Sequence, residues 1–264
     1  MQHKKGNRVL VLVCWLGGFL CLLMAATTTK AGETVDEALI EAVAIGRLGE
    51  VERLLKEGAN VNAGDPSMGT VLGLAAAHGN LDMVKLLVEK GATIDAQDIK
   101  GRTPLIKAIR GGHVPVVAFL LEKGANLARV TRQGASPLIA AVREENLPMI
   151  RMLLDKGAPL HYTQPNGMTA LTVAVQRGNP EVVRVLLEKG ADPNTRNSEG
   201  QTILMRAVLL NRPKVVQVLL EKGADPNIPD TRGNTPLTRA LGLNYSEVAK
   251  VLEAYGGKKQ RPHD

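Results

Sequence analysis

The sequence predicts an all-α solenoid of about seven helix-turn-helix units joined by β-hairpin loops. A first observation is the heptapeptide EKGADPN, which occurs at 188–194 and again at 221–227. A second is a series of glycines spaced 33 residues apart, namely Gly58, Gly91, Gly124, Gly157, Gly190, Gly223 and Gly256. A third is a parallel series of leucines, namely Leu54, Leu87, Leu120, Leu153, Leu186, Leu219 and Leu252. An internal period of this length indicates stacked repeats, in which each unit buries its apolar face against its neighbours.

This period divides the predicted repeat domain, residues 32–257, into seven units. Their predicted ranges are 35–66, 67–97, 98–130, 131–163, 164–196, 197–228 and 229–257. The first and last units have polar residues at outer positions, as expected of the caps that keep a solenoid soluble. Residues 258–264 form a short basic C-terminal tail.

The third unit shows how each repeat is built. Thr103 is a suitable helix N-cap, and Pro104 fits the first helical position, where a missing N–H has no cost. Glycines at 111–112 end this helix. Pro115 lies near the start of a second helix, which Gly124 ends in the left-handed conformation that other residues avoid. Each unit is therefore predicted to be two antiparallel helices followed by a loop.

Residues 1–31 have the pattern of a secretory signal peptide. Basic residues precede an apolar run over 9–24, and small residues follow it. We predict cleavage after Ala31, with an earlier cut near Ala26 and an uncleaved membrane anchor as alternatives. Cleavage predicts a periplasmic or secreted protein with no attachment to the membrane.

Both cysteines, Cys14 and Cys21, lie within this segment. The remaining chain would have no thiol, which excludes a disulfide, a cysteine nucleophile and a cysteine metal site. The segment also holds four of the 33 lysines and arginines and none of the 26 acidic residues. Its removal would lower the net charge from +7 to +3, so much of the overall basicity belongs to the targeting signal.

Several segments resemble the ankyrin repeat family, whose unit is similar to D-x-x-G-x-T-P-L-H-x-A followed by G-H and L-L-x-x-G-A-D-x-N. They are DIKGRTPLIKA at 98–108, DTRGNTPLTRA at 230–240 and the two copies of EKGADPN. The resemblance extends over about 35–256 and is typical of a bacterial, exported ankyrin protein. It implies a non-enzymatic scaffold that binds other proteins.

The sequence departs from the family pattern in three places. The histidine expected after T-P-L is replaced at Ile106, Ile139, Thr172, Met205 and Thr238. Glu144-Glu145 stands where a turn glycine is usual, and Ser67-Met68-Gly69 disturbs the first loop.

No set of residues predicts catalysis. The histidines at 78, 113, 161 and 263 have no second ligand at metal-binding spacing, and no serine lies in a G-x-S-x-G motif. The segment IRGGHV at 109–114 has neither the preceding strand nor the lysine of a phosphate-binding loop. We therefore predict no catalytic residue, no cofactor and no metal site.

The resemblance implies a concave surface, formed by the hairpin tips and first helices, that binds a protein partner. Cations at variable positions on this surface form a stripe of Lys100, Lys107, Arg110, Arg132, Arg143, Arg177, Arg206, Arg232 and Arg239. Acidic residues interrupt it at Asp98, Glu144, Glu199 and Asp230. The stripe predicts an acidic partner, although an ordinary solvated face also carries charges.

Leu209 and Leu210 occupy the end of a first helix where other units have charged residues, and Leu243 shares the position of Leu210. They indicate an apolar anchor for a partner, or packing under the C-terminal segment. The predicted partner-binding residues are Lys107, Arg110, Arg143, Arg177, Arg206, Leu209, Leu210, Arg239 and Leu243.

We expect a monomer that binds protein and not nucleic acid, since the sequence combines an export signal with few aromatic residues for base stacking. Alternative functions are an accessory or inhibitory subunit of a periplasmic enzyme, for example one related to oxidative stress, and a secreted effector that acts on a host.

Overall fold

A computed structural model describes residues 34–65, 67–197 and 200–259. The predicted signal peptide and residues 260–264 of the predicted tail lie outside these ranges. The described residues form a compact unit that begins at Thr34. Its helices are α1 (Val35–Ala44), α2 (Leu48–Lys56), α3 (Val71–His78), α4 (Leu81–Glu89), α5 (Pro104–Arg110), α6 (Val114–Glu122), α7 (Pro137–Arg143), α8 (Leu147–Asp155), α9 (Ala170–Arg177), α10 (Pro180–Glu188), α11 (Ile203–Leu209), α12 (Pro213–Glu221), α13 (Pro236–Gly242) and α14 (Ser246–Ala254).

The helices pair as the period predicts. Each odd-numbered helix packs against the even-numbered helix that follows it, and first helices of successive units pack against one another, as α3 does on α5. The same holds for second helices, as α10 does on α12. Within the described residues, no helix is long and apolar enough to span a bilayer.

The core confirms the register of the repeat. All seven leucines of the 33-residue series are buried, from Leu54 in α2 to Leu252 in α14. The first helices contribute a matching series of buried alanines, namely Ala42, Ala75, Ala108, Ala141, Ala174, Ala207 and Ala240. Because alanine is small, the first helices of neighbouring units approach closely, and their apolar faces make one continuous core.

The N-cap predicted at Thr103 is present, and Ser136 is its equivalent in the next unit. The Thr103 hydroxyl accepts from the backbone N–H of Ile106 at 3.2 Å, and the Ser136 hydroxyl does the same for Ile139 at 3.2 Å. Gly124 ends α6 with a φ of 85°. These contacts fix where the helices of each unit begin and end.

The turn between the two helices of a unit keeps its shape where glycine is absent. Glycines at 46, 79, 112 and 178 have positive φ, and Glu145, Asn211 and Asn244 occupy the same repeat position with φ of 53°, 50° and 59°. The departure at Glu144-Glu145 therefore costs local strain without changing the turn.

The loops between units contain little strand. Strands β1 (Gly64–Asp65) and β2 (Gly69–Thr70) pair antiparallel, with Gly64 opposite Thr70. In the described part of the other loops there is one isolated bridge, between Arg196 and Thr202. The hairpin shape is kept by single turns, such as the one in which Asp98 N–H donates to the Arg102 carbonyl at 3.1 Å.

Candidate functional site

Two positions of the repeat organise the surface formed by the loops and first helices. The first, which we call the loop position, is occupied by Asp65, Asp98, Thr131, Gln164, Asn197 and Asp230. The second lies nine residues later in the first helix, and this helix position is occupied by Leu74, Lys107, Ala140, Val173, Arg206 and Arg239. A cation at the helix position can therefore meet a carboxylate at the loop position of its own unit.

Lys107 and Asp98 make this contact. The Lys107 Nζ lies 3.3 Å from Asp98 Oδ2 and donates to the Met68 carbonyl in the preceding loop. The same carboxylate oxygen accepts from Arg102 Nε at 2.7 Å. Only 8% of Lys107 is exposed. The sequence placed Lys107 in an exposed, partner-binding stripe, and this is corrected by the structure: its charge is used inside the protein to join two loops.

Both groups of this pair have shifted pKa values. Burial opposes ionisation of Asp98, but hydrogen bonds from the N–H groups of Arg102 and the charge of Lys107 outweigh burial, and the Asp98 pKa lies below its usual value. Burial lowers the pKa of Lys107, and the charge of Asp98 offsets only part of that effect. The pair therefore stabilises the loop mainly through the ionised aspartate.

Arg239 and Asp230 repeat the arrangement near the C-terminal end. The Arg239 Nε and Nη2 donate to Asp230 Oδ2 at 3.0 and 2.6 Å. Burial would raise the pKa of Asp230, yet the hydrogen bonds from Arg239 and from the main chain lower it. Arg239 is thus committed to an internal partner, although it stays partly exposed.

Arg177 is exposed and has a partner that sequence reasoning missed. Its Nε lies 3.0 Å from Oε1 of Glu145, in the preceding unit, and the other oxygen of Glu145 accepts from Asn179 Nδ2 at 3.0 Å. Exposed pairs of this kind contribute about 0–1 kcal/mol, so Arg177 can still turn toward a ligand.

Five of the six remaining cations of the stripe line two grooves, and Arg232 lines neither of them. The larger, which we call the basic groove, has a volume of about 600 Å³ and lies between the third and fourth predicted units. Its charged lining residues are Lys100, Arg102, Arg110, Arg132, Arg143 and Glu144. The Arg132 N–H donates to the Lys100 carbonyl at 2.9 Å, so the loops on both sides are joined.

The smaller groove, which we call the Arg206 pocket, has a volume of about 250 Å³. Its polar lining includes Asn166, Gln176, Arg196, Gln201 and Arg206, and the described lining residues include no acid. The Nε of Arg206 is buried and has no acceptor among the described residues. The structure therefore divides these five cations between two separate sites.

Comparison with known proteins gives the family. A model of ankyrin repeats (three copies) matches residues 10–98, 72–163, 156–230 and 197–262, which is most of the chain. The chain belongs to the ankyrin repeat family. Ankyrin repeats are generally protein–protein interaction modules and typically non-enzymatic scaffolds.

Two solved ankyrin structures are similar to this chain. An ankyrin repeat domain from Acinetobacter baumannii is 35% identical, covers 71% of this chain and 98% of its own, and superposes with a TM-score of 0.66. The ankyrin repeat domain of Bcl-3, described as a unique member of the IkappaB protein family, is 27% identical and covers 84% of this chain and 99% of its own, with a TM-score of 0.75. No curated protein matches the sequence.

The leucines at the C-terminal end of the ankyrin stack are less exposed than the sequence suggested. Leu209 ends α11 and Leu210 follows it, and both are half-buried, whereas the sequence indicated an exposed apolar anchor. Leu243 is 43% exposed. Its neighbour Leu241, which lies in the last turn of α13 and which sequence reasoning missed, is 38% exposed.

The described part of the ankyrin stack holds no group of three or more histidine, cysteine or acidic side chains that could bind a metal ion. His113 instead makes a structural contact between units, with Nε2 at 2.9 Å from the Ala77 carbonyl oxygen.

Proposed function

We propose that the protein is a non-enzymatic scaffold that binds an acidic segment of another protein in the basic groove. The observation that carries this proposal is the charge of the groove, which has five cationic lining residues and one acidic residue, Glu144. We take the surface of loops and first helices to be the concave face of the solenoid.

Three of these cations are available to a ligand. Lys100, Arg110 and Arg132 are exposed, and none has an ion pair with a described carboxylate. Arg102 is held by Asp98, and Arg143 makes only a 3.5 Å contact with Gln164 Oε1. Fixed positive charges around a groove attract an anionic partner and speed its association.

The shape and chemistry of the groove favour a peptide over a nucleic acid. A volume of about 600 Å³ accommodates a few side chains. Its described lining contains no aromatic ring on which a base could stack, and Ile99, which is 49% exposed, adds an apolar side chain that a peptide can contact.

We further propose, from the sequence, that the protein acts as a monomer in the periplasm or outside the cell after removal of residues 1–31, without binding a membrane or nucleic acid. N-terminal sequencing of the protein recovered from a periplasmic extract tests the cleavage. A partner that is an enzyme, or a host protein, would use the same groove.

A photo-crosslinking amino acid in place of Gln133, which lines the groove, tests the function. We expect a cross-linked protein whose modified peptide is rich in Asp and Glu. The control carries the cross-linker at Lys85, which is exposed on α4, away from the first helices. Equal products from both positions, or a cross-linked peptide without acidic residues, would contradict the proposal.

A further inference from the structure

The Arg206 pocket is formed in part by the sixth unit. Among the described residues, this is the one unit that has a cation at the helix position and no acid at the loop position. In the third and seventh units, Lys107 faces Asp98 and Arg239 faces Asp230. In the sixth unit, Arg206 is paired in sequence with Asn197. The sixth unit therefore keeps the cation at the helix position. At the loop position it has a neutral amide, where the third and seventh units have a carboxylate.

Asn197 makes the same hydrogen bond to the main chain of its loop as the aspartate does in the third unit. Its Oδ1 accepts from the Gln201 N–H at 2.9 Å, as Asp98 Oδ1 accepts from the Arg102 N–H at 2.9 Å. The turn is therefore preserved. The amide brings no negative charge, so the electrostatic part of the aspartate's role is missing in this unit alone among the three.

A third groove is lined by Lys107, and the Arg206 pocket occupies the equivalent position of the repeat. The two are related by 99 residues, which is three periods, and the equivalent pairs are Ser67 and Asn166, Met68 and Gly167, Arg102 and Gln201, and Lys107 and Arg206. Around Lys107 the charge is satisfied by Asp98 and the Met68 carbonyl. Around Arg206 the described residues supply no such contact.

The buried Nε–H of Arg206 needs an acceptor that the described residues do not supply. Leaving a buried donor unsatisfied costs about 1–3 kcal/mol, and more when the group is charged. Water can accept this hydrogen bond in the free protein. A ligand oxygen that replaces the water and carries a negative charge gains more, because charge-assisted hydrogen bonds to arginine are about twice as strong as neutral ones.

We infer that the Arg206 pocket binds the side-chain carboxylate of an aspartate or glutamate from the protein partner, in the place that the repeat's own aspartate takes in other units. This inference rests on the proposed function and adds a second contact to it, two units along the solenoid from the basic groove. Asp230 shows the geometry, since one of its oxygens accepts from two nitrogens of Arg239.

The decisive variant is Asn197→Asp, which returns the missing carboxylate to the chain. The new carboxylate pairs with Arg206 and closes the pocket, so a glutamate-rich peptide should bind about tenfold more weakly, as it should to Arg206→Gln. Lys214→Gln is the matched control, because it changes the net charge equally at an exposed residue of α12. Fluorescence anisotropy of the labelled peptide measures all four proteins. Wild-type affinity in Asn197→Asp overturns the inference.

The NMR resonance of the Arg206 Nε–H gives a readout that does not depend on affinity. We expect it to shift when the peptide is added to the wild-type protein, and to be shifted already in free Asn197→Asp. A shift caused by inorganic phosphate or oligothymidylate but not by the peptide would overturn the assignment to a carboxylate. Glu199 is near in sequence and outside the described residues, so Glu199→Gln is included. A changed resonance in free Glu199→Gln would show that the chain's own acid occupies Arg206, and would also overturn the inference.

The experiments can refute the proposed function and the carboxylate site at Arg206 independently of each other. If the peptide binds Lys100→Gln/Arg110→Gln/Arg132→Gln as tightly as wild type, the basic groove is not the binding site and the proposed function falls. If that triple variant loses binding while Asn197→Asp and Arg206→Gln keep it, only the carboxylate site at Arg206 is wrong.

Discussion

Arg239 donates to Asp230 from two nitrogens, with Nε at 3.0 Å and Nη2 at 2.6 Å from the same carboxylate oxygen. Lys107 meets Asp98 across the same nine-residue interval, four units earlier. The contact is therefore a property of two repeat positions. It decides which cations of the surface are held inside the protein and which are left for a partner.

Asp230→Ala should lower the free energy of unfolding by roughly 2 kcal/mol, because the carboxylate receives charged and main-chain donors. Urea denaturation measures the change. Asp225→Ala is the control, since Asp225 is exposed and its carboxylate accepts from the Asn227 N–H alone among the described contacts. Its loss should cost less than about 1 kcal/mol. Equal effects of the two substitutions would contradict the role given to Asp230.

Acid should destabilise the protein through Asp98 and Asp230. Their pKa values in the folded protein lie below that of an unfolded aspartate, about 3.9. Their contribution is therefore present above that pH and is lost as the pH falls through the folded values, where the unfolded chain binds more protons. We expect a steeper loss of stability below about pH 5 in wild type than in Asp98→Asn/Asp230→Asn. Parallel curves of unfolding free energy against pH would exclude this source of acid sensitivity.

Gly101→Ala should disturb the basic groove. Gly101 has a φ of 73°, and a Cβ there would lie 2.7 Å from the Arg132 nitrogen, whose N–H joins the two basic loops. Gly91→Ala is the control, because its φ of 90° is also unfavourable but its Cβ would meet no atom within 4 Å. We expect about 1–2 kcal/mol from the backbone at both sites and roughly 1–3 kcal/mol more at Gly101. Thermal unfolding that ranks Gly91→Ala as the more damaging change would contradict the loop geometry.

Leu153→Ala should cost roughly 2–5 kcal/mol, because the side chain is fully buried in the leucine series. Leu243→Ala, at an exposed leucine of the last unit, should change stability by less than about 0.5 kcal/mol. Chemical denaturation of both variants measures the difference. An unchanged unfolding midpoint for Leu153→Ala would be incompatible with the repeat register.

The fold was predictable from the sequence because the residue types that determine the structure recur at equivalent positions of the repeat. The buried leucines, the small alanines and the caps at Thr103 and Ser136 all follow from the period together with helix chemistry. Even the turn at Glu145, where glycine is missing, keeps its position because the helices on both sides fix it.

The site was only partly predictable, since a charge at a variable position looks exposed until its neighbours are known. Lys107 was placed on the surface because its own helix gave no sign of a partner, although Asp98 stood in register nine residues earlier. Arg177 depends on Glu145, which is 32 residues away and belongs to another unit. The half-burial of Leu209 and Leu210 depends on packing, which the repeat pattern does not specify.

The dissociation constant of a glutamate-rich peptide gives the most direct measurement of binding in the basic groove. We expect Lys100→Gln/Arg110→Gln/Arg132→Gln to bind about tenfold more weakly than wild type, which corresponds to ~1.4 kcal/mol from three exposed charges. Lys85→Gln/Lys214→Gln/Lys250→Gln removes the same charge from exposed positions on second helices and should bind within about twofold of wild type. Equal weakening in both triple variants would show that net charge alone attracts the peptide, and would contradict a binding site in the groove.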